Sequence, residues 1–168
     1  MRVTDAVDRA FDLRRSGEPE AIGVARAIHV NVLLLANRSL DELEQICRSE
    51  DVTHSQYVAL WVLCLAEDAE RGIPISAVAD GLLNRASDTT RLIDRLEKAG
   101  LAERLPNPAD RRGVLVRATR SGHERFASLT PKLQVFHERQ WSNLDPGERD
   151  QLQVLLSKAL WGDEPSAQ

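Results

Sequence analysis

Cysteines, aromatic residues and long apolar runs are all scarce in this sequence. The two cysteines, Cys47 and Cys64, do not form a Cys-x-x-Cys motif, so neither a disulfide framework nor a cysteine-based zinc site is predicted. No apolar run approaches the roughly 20 residues that a membrane-spanning helix needs. The N-terminus also lacks the apolar segment of a secretory signal peptide. We therefore expect a cytoplasmic protein with no membrane partner.

The residue sets typical of catalysis, metal binding and cofactor binding are also missing from the sequence. No Ser-His-Asp set, carboxylate pair or glycine-rich phosphate loop is recognisable. No histidine lies at metal-ligand spacing from another histidine, a cysteine or a carboxylate pair; the four are His29, His54, His123 and His137. The sequence therefore predicts no enzyme, no cofactor and no metal site. Metal ligands that converge from distant segments are the alternative.

The net charge of -4 argues at first against a nucleic-acid partner. The charge is unevenly distributed, however. Residues 84–125 contain ten lysines or arginines and six aspartates or glutamates, a net charge of +4, so the remainder, with 12 basic and 20 acidic residues, carries -8. A basic segment attached to an acidic body still attracts phosphates locally.

Residues 75–99 are predicted to form two helices separated by a short break. The first covers residues 75–82, with Ser76 as a small polar cap, and the second covers residues 87–99. Ser87 is the predicted N-cap of the second helix, with Asp88 in its first turn, where the helix dipole favours negative charge. Gly100 follows as the left-handed C-terminal residue.

The second helix divides into an apolar and a polar face. Its predicted buried stripe consists of Leu92, Ile93, Leu96 and the following Leu101. Thr90 and Arg91 lie on the other face near the helix start. Hydroxyl groups bond bases or phosphates, and arginine pairs bidentately with guanine, so this end of the helix is suited to a DNA groove.

A polar hairpin follows the second helix. Residues 101–105 and 114–118 are predicted strands, and the turn residues 107–113 connect them. Arg111 and Arg112 at the tip suit phosphates or a narrow minor groove, whose negative potential attracts arginine. The alternative is an ordinary helical domain with a solvated charged loop.

The same residues resemble the MarR family of bacterial transcriptional regulators. Residues 73–91 align without a gap with that family's helix-turn-helix, and residues 91–97 match the latter part of its recognition helix. Residues 110–119 match its wing signature, Asp-x-Arg-x-x-x-Val-x-Leu-Thr, with Gly122 following at the expected place. Ala118 departs from the signature leucine, a change that loosens packing beneath the wing without removing a DNA contact.

The resemblance implies a mainly α fold with a small β-hairpin wing. A single MarR-type domain, residues 1–168, would contain a winged helix-turn-helix DNA-binding lobe at 53–119 and a helical dimerisation lobe formed by 20–50 and 120–162. The expected partners are double-stranded operator DNA and a second copy of the chain. The predicted DNA-binding residues are Ser87, Asp88, Thr90, Arg91, Arg95, Arg111 and Arg112. Asp110 would orient the wing by pairing with an arginine.

The remaining helices follow from periodicity and capping. A long helix begins near Glu20, and its residues 27–36 are apolar on nearly every side. Such a helix must be buried on more than one side, and a second copy of the chain would bury it. Thr53 opens the next helix with a capping box, and that helix is expected to end near residues 72–74. Thr119 or Ser121 starts the next helix, in which a kink or a brief break is expected at Pro131, and Asp145 caps the last helix.

Two kinds of regulation are considered for this chain, by a small effector and by cysteine oxidation. The resemblance implies release from DNA by a small aromatic or anionic effector, in a pocket near His29, Tyr57 and Trp61. The alternative is that the aromatic pair Tyr57 and Trp61 packs in the core, as two aromatic residues at helical spacing more often do than line a pocket. Cys47, near a helix end beside Arg48, is expected to be exposed, which leaves a cysteine-based redox-sensing regulator as an alternative. A second alternative is an interaction module of the same fold that does not bind DNA. Arg91, Arg111 and Arg112 argue against it, because such a module would not need them.

Overall fold

The computed structural model of the chain describes residues 20–82, 88–110 and 113–162. This part of the chain is mainly helical with one small sheet, as predicted. Its elements in chain order are α1 (Glu20–Arg48), α2 (His54–Leu65), β1 (Ile73–Pro74), α3 (Ile75–Gly81), α4 (Thr89–Lys98), β2 (Ala102–Pro106), β3 (Val114–Ala118), α5 (Arg120–Gln140) and α6 (Pro146–Trp161). The helix-turn-helix consists of α3 and α4, and β2 and β3 form the wing. No helix of the described ranges is long and apolar enough to cross a membrane.

The chain divides into two compact units, residues 1–45 and 46–168. The described part of the first unit is a single helical stretch, the first 26 residues of α1. Many of its large apolar side chains are exposed: Val24, Ile28, Val32, Leu33, Leu35 and Leu40. Contiguous exposed apolar side chains on a helix usually mark a surface that binds a partner.

The core of the second unit lies where α2, α4, α5 and the sheet meet. Each element contributes side chains that are almost completely buried: Leu60 and Leu63 from α2, Val78 from α3, Ile93 and Leu96 from α4, Val116 from β3, and Leu129 and Leu133 from α5. Apolar burial on this scale holds the recognition elements on one rigid support.

The sheet has three antiparallel strands in the order β1-β3-β2. The wing strands pair from Ala102 opposite Ala118 to Pro106 opposite Val114, so the predicted hairpin is confirmed within one residue. The third strand, β1, pairs Ile73 with Val116. Two residues are too few to show strand periodicity, which is why the sequence did not predict β1.

Three predicted helix starts are confirmed by their hydrogen bonds. The backbone N–H of Gln56 donates to the Thr53 hydroxyl (3.2 Å), and the Thr53 N–H donates to the Gln56 amide oxygen (2.8 Å). Asp145 and Glu148 make the same reciprocal pair at the start of α6. Thr119 caps α5 by accepting from the Gly122 N–H (3.1 Å).

Other predicted boundaries are wrong. The N-cap of α4 is Asp88 rather than Ser87, because the Asp88 carboxylate accepts from the Arg91 N–H (3.2 Å) and the helix begins one residue later. Ser76 lies inside α3, where Pro74 occupies the N-cap position without a side-chain bond. Helix α2 ends at Leu65, well before residues 72–74, and a turn segment reaches β1. Helix α5 runs through Pro131, so the break offered as one alternative there is wrong, while the kink stays a prediction.

A charged cluster around Glu50 fastens the turn after α1 to α5. The Glu50 carboxylate accepts from Lys132 Nζ (2.6 Å), Arg125 Nη1 (2.9 Å) and the Ser128 hydroxyl (3.0 Å). The hydrogen bond from Lys132 is the largest of the causes that lower the pKa of Glu50 below its ordinary value, and Ser128 and Arg125 add to it. A lowered pKa means that the charged carboxylate is stabilised by folding.

Glu50→Gln should therefore weaken the fold at neutral pH and reduce its acid sensitivity. The contribution of Glu50 is complete above its unfolded pKa and is lost as pH falls through the lower folded pKa. Thermal midpoints of both proteins should converge as pH falls from about 5 to about 3. Glu124→Gln, which removes an exposed pair with Arg120, is the control and should follow the wild type. Parallel curves for wild type and Glu50→Gln would contradict a role for Glu50.

Candidate nucleic-acid interface

Helix α4 has the two predicted faces. Leu92, Ile93 and Leu96 are buried and hold it against the second unit, which confirms the apolar stripe. The opposite face is exposed and carries Thr90, Arg91, Asp94, Arg95 and Lys98. The exposed face is therefore presented by a helix whose own position is fixed by packing.

Asp88 and Arg91 form a local pair at the start of α4. Besides capping the helix, the Asp88 carboxylate lies 3.0 Å from Arg91 Nε, and the Arg91 side chain is 78% exposed. Such an exposed pair is worth little to stability and exchanges partners easily. Arg91 is thus held near the helix start yet remains available to an outside acceptor.

Arg95 lies one turn after Arg91 on the same exposed face. Its side chain makes no hydrogen bond or ion pair to another described residue. Gly100, just beyond the helix, has φ +72°, the left-handed conformation that its position predicts. Arg91 near the start of α4 and Arg95 in its last turn therefore place two exposed cations on one face of the helix.

Arg104 on β2 is a charged residue whose role the sequence did not reveal. Its side chain is only 25% exposed and pairs with Asp94 Oδ1 through Nη2 (2.5 Å) and with Glu97 Oε2 through Nη1. Its backbone N–H also donates to Glu97 Oε1 (3.4 Å). The hydrogen bond to Asp94, followed by that to Glu97, raises the pKa of Arg104. No short-range spacing links β2 to α4, so only the folded structure shows this contact.

The described part of the wing is closed by a hydrogen-bonded turn. The Asn107 N–H donates to Gly113 O (3.3 Å), and the Gly113 N–H donates to Asp110 O (2.9 Å). Arg111 and Arg112, like Ser87, lie outside the described residues. Asp110 is exposed, and its pairing with an arginine stays a prediction.

The aromatic residues of the predicted effector pocket are placed as follows. The Tyr57 ring stacks on Phe126 with centroids 5.8 Å apart, and its hydroxyl lies 3.5 Å from Thr130 Oγ1. Trp61 is about half exposed on α2. His29 is an exposed residue of α1, in the first unit. Tyr57 is therefore partly buried against α5, whereas Trp61 is not a core residue, and a pocket shared by the three residues stays a prediction.

The two cysteines do not have the environment of a redox sensor. The prediction that Cys47 is exposed is wrong, because its side chain is fully buried; the turn after α1 is closed there by the Val52 N–H, which donates to Cys47 O (3.4 Å). Cys64 is partly buried, and burial raises the pKa of its thiol to about 11. A reactive cysteine needs a stabilised and accessible thiolate; the raised pKa of Cys64 and the burial of Cys47 both oppose this.

Both thiols should therefore react slowly in the native protein. At pH 7.4 Cys64 would be modified roughly 10²–10³-fold more slowly than a free thiol, since few molecules carry the thiolate, and buried Cys47 more slowly still. Labelling with a disulfide reagent before and after denaturation measures both rates. A native thiol that reacts as fast as free cysteine would revive the redox-sensing alternative.

Comparisons with known proteins agree on one family. A sequence model of the MarR family matches residues 52–114. The multiple antibiotic resistance protein MarR of Escherichia coli K12 is 34% identical over 145 residues, which cover 84% of this chain and 93% of that protein. The transcriptional repressor MprA of the same organism is 28% identical over 133 residues, covering 79% of this chain and 72% of MprA.

Solved structures give the same result. A cysteine-to-serine mutant of E. coli MarR in complex with operator DNA superposes with a TM-score of 0.69 at 30% identity, covering 84% of this chain and 96% of that one. BpsR of Bordetella bronchiseptica, whose DNA binding is described as regulated by 6-hydroxynicotinic acid, superposes at 0.66 with 23% identity, covering 80% and 98%. The second likeness establishes the fold alone.

Proposed function

Because this chain belongs to the MarR family of transcription regulators, we propose that it is a homodimer that binds a pseudo-palindromic DNA operator through α4 and the wing. The observation that carries the proposal is α4 itself. Three buried apolar residues seat this helix, while Arg91 and Arg95 lie on its exposed face. In DNA-reading helices of this type, N-terminal residues contact base edges in the major groove.

Within this proposal the site residues have different roles. Thr90 and Arg91 read base edges, and Asp88 holds Arg91 near the groove until a base or phosphate replaces the carboxylate. Arg95 contacts the phosphate backbone beside the groove. Ser87, which precedes Asp88 in the sequence, and the predicted wing arginines, Arg111 and Arg112, complete the set. Phosphate contacts supply affinity and register, whereas base contacts supply sequence preference.

Exposed apolar surface supports the homodimer. Helix α6 contains no buried residue, and its large exposed side chains include Val154, Leu155, Leu160 and Trp161. A groove of about 370 Å³ lies along it, lined by Trp141, Arg149, Leu152, Gln153, Leu156, Ser157 and Leu160. Two-fold symmetry would then present two copies of α4 to major grooves about 10 bp apart.

We propose that the regulator is a repressor released by a small aromatic or anionic effector. The name of MprA and the described regulation of BpsR are the support for this part. The effector would bind near His29, Tyr57 and Trp61 and favour a spacing of the two α4 helices that misfits DNA. Its effect is limited by its differential affinity for the two spacings, commonly about 1–3 kcal/mol. Since its target is the bacterial chromosome, we place the protein in the cytoplasm.

Selection from random duplexes tests the proposed function. The purified protein is equilibrated with a library of 30-bp duplexes (a design length of about three helical turns), and bound DNA is sequenced after several rounds. The expected product is an inverted repeat whose half-sites are centred about one helical turn apart. An enriched pool without symmetry would argue against the dimeric mode, and no enrichment at all would argue against sequence-specific binding.

Arg112→Ala should reduce the salt dependence of DNA binding. Each phosphate contact contributes about -0.9 to the slope of log K against log salt. The slope of the variant should therefore be less steep by about that amount for each wing. Titrations at four salt concentrations measure it. Arg139→Gln, which changes a residue in the last turn of α5, is the control. An unchanged slope for Arg112→Ala would remove Arg112 from the phosphate contacts.

A further inference from the structure

The two carboxylates that hold Arg104 project from α4 itself. Asp94 and Glu97 are three residues apart, so they lie on one face of the helix, and both accept from the Arg104 guanidinium of β2. The contact spans the recognition helix and the first strand of the wing. It is a charged side-chain contact between these two elements, and it adds to the apolar packing of Leu92, Ile93 and Leu96.

We propose that Arg104 is a positioning residue that fixes the rotation of α4 relative to the wing, and so sets the sequence discrimination of the DNA-binding surface. The inference rests on the proposed DNA-binding function. Apolar burial fixes where α4 packs, but the hydrophobic effect is itself non-directional. A planar guanidinium held by two carboxylates does prescribe an orientation, and base readout tolerates displacements of only about 0.5 Å.

Arg104 is poorly placed to bind a phosphate itself. Both terminal nitrogens are already occupied, and its side chain is less exposed than those of Asp94 and Glu97. The cluster of one arginine and two carboxylates carries a formal charge of -1, so a phosphate approaching it would meet net repulsion. The arrangement therefore restrains α4 without adding positive charge to the interface.

The proposed restraint and simple electrostatics predict changes of opposite sign in operator affinity when the two carboxylates are removed. Asp94→Ala/Glu97→Ala removes two negative charges from the exposed face of α4, which should raise affinity for any DNA. Loss of the restraint should instead lower affinity for the operator. The ratio of operator affinity to nonspecific affinity isolates the positioning effect, because a loss of folded protein alone would lower both affinities equally.

The experiment compares full-length variants on the selected operator and on a duplex with scrambled half-sites. Glu124→Ala/Glu138→Ala, which removes two carboxylates from α5, matches the charge change away from α4. Arg104→Gln is paired with Arg117→Gln, because Arg117 of β3 is held by Glu103 (2.8 Å) in a contact that does not involve α4. Circular dichroism gives the folded fraction of each variant.

We expect Asp94→Ala/Glu97→Ala and Arg104→Gln each to lower the affinity ratio about tenfold, as expected when interacting residues are uncoupled. Both control variants should keep the wild-type ratio. An unchanged or increased ratio for the carboxylate variant would overturn the proposal, as would a ratio that falls equally in the controls. If the wild type itself failed to distinguish operator from scrambled DNA, the proposed function would fail instead.

Discussion

Replacing Gly122 by alanine should destabilise the second unit by about 3 kcal/mol or more, at the upper end of the cost of overpacking. A Cβ atom at this position would lie 2.1 Å from the Leu101 carbonyl oxygen and 3.3 Å from Leu60 Cδ2. The first contact is with backbone, so no side-chain rotation can relieve it. Gly122 is thus required by the close approach of α5 to the end of the recognition helix.

The backbone around Leu101 has little freedom to move away. Its carbonyl accepts from the Thr119 N–H (3.1 Å), and its own N–H donates to Leu96 O (2.8 Å). The Thr119 hydroxyl also donates to Gly100 O (2.6 Å). Relief of the clash would break the junction that joins α4, β3 and α5, so Gly122→Ala should impair DNA binding together with stability.

Gly147→Ala is the matched control for this prediction. A Cβ at Gly147, in the first turn of α6, would have its nearest contact at 3.4 Å, an ordinary van der Waals distance to Asp145 Oδ1. The substitution should be neutral or stabilise the fold by up to about 1 kcal/mol, because alanine restricts the unfolded chain. Denaturant unfolding measures both variants. Equal stability of Gly122→Ala and wild type would refute the packing described at Leu101.

Arg91→Ala should weaken operator binding by about 1–3 kcal/mol per half-site, the discrimination typical of a bidentate arginine–base contact. The Arg91 side chain is largely exposed and pairs with the exposed Asp88 carboxylate, so little of the folded structure depends on it. The variant should therefore fold as stably as the wild type. Removing a base contact, unlike removing a phosphate contact, should also relax the preference at one position of each half-site.

Binding of Arg91→Ala to a panel of single-base operator variants measures this relaxation. Arg120→Ala is the control, because Arg120 is also an exposed arginine paired with a nearby carboxylate, Glu124 (2.9 Å), but lies at the start of α5. A uniform loss of affinity across the panel would assign Arg91 to the phosphates. Affinity equal to that of Arg120→Ala would place Arg91 outside the interface.

Local sequence signals predicted most of the fold. Capping boxes at Thr53 and Asp145 and the cap at Thr119 depend on side chains that bond backbone three residues away, so sequence spacing alone reveals them. The stripe on α4 is likewise a local pattern. The N-cap of α4 was predicted one residue too early, at Ser87 instead of Asp88, because helix ends are defined by sequence patterns only to within a residue or two.

Contacts between distant segments could not be predicted from local spacing. Arg104 bonds to carboxylates seven and ten residues away across a change from helix to strand. Cys47 is fully buried at the end of α1, before a turn in which Asp51 is a non-glycine residue with φ +58°. The short strand β1 exists because β3 offers it a partner. Each of these features is a property of the assembled unit.

Sequence-specific DNA binding is the central property proposed for this protein, and one titration tests it most directly. Fluorescence anisotropy follows wild-type binding to the DNA upstream of its own gene and to a scrambled duplex of equal composition, at several salt concentrations. We predict an affinity at least about 10³-fold higher for the upstream DNA at physiological salt, with log K falling steeply as log salt rises. Equal, weak affinities for this DNA, for the duplex obtained by selection and for the scrambled duplex would contradict the account.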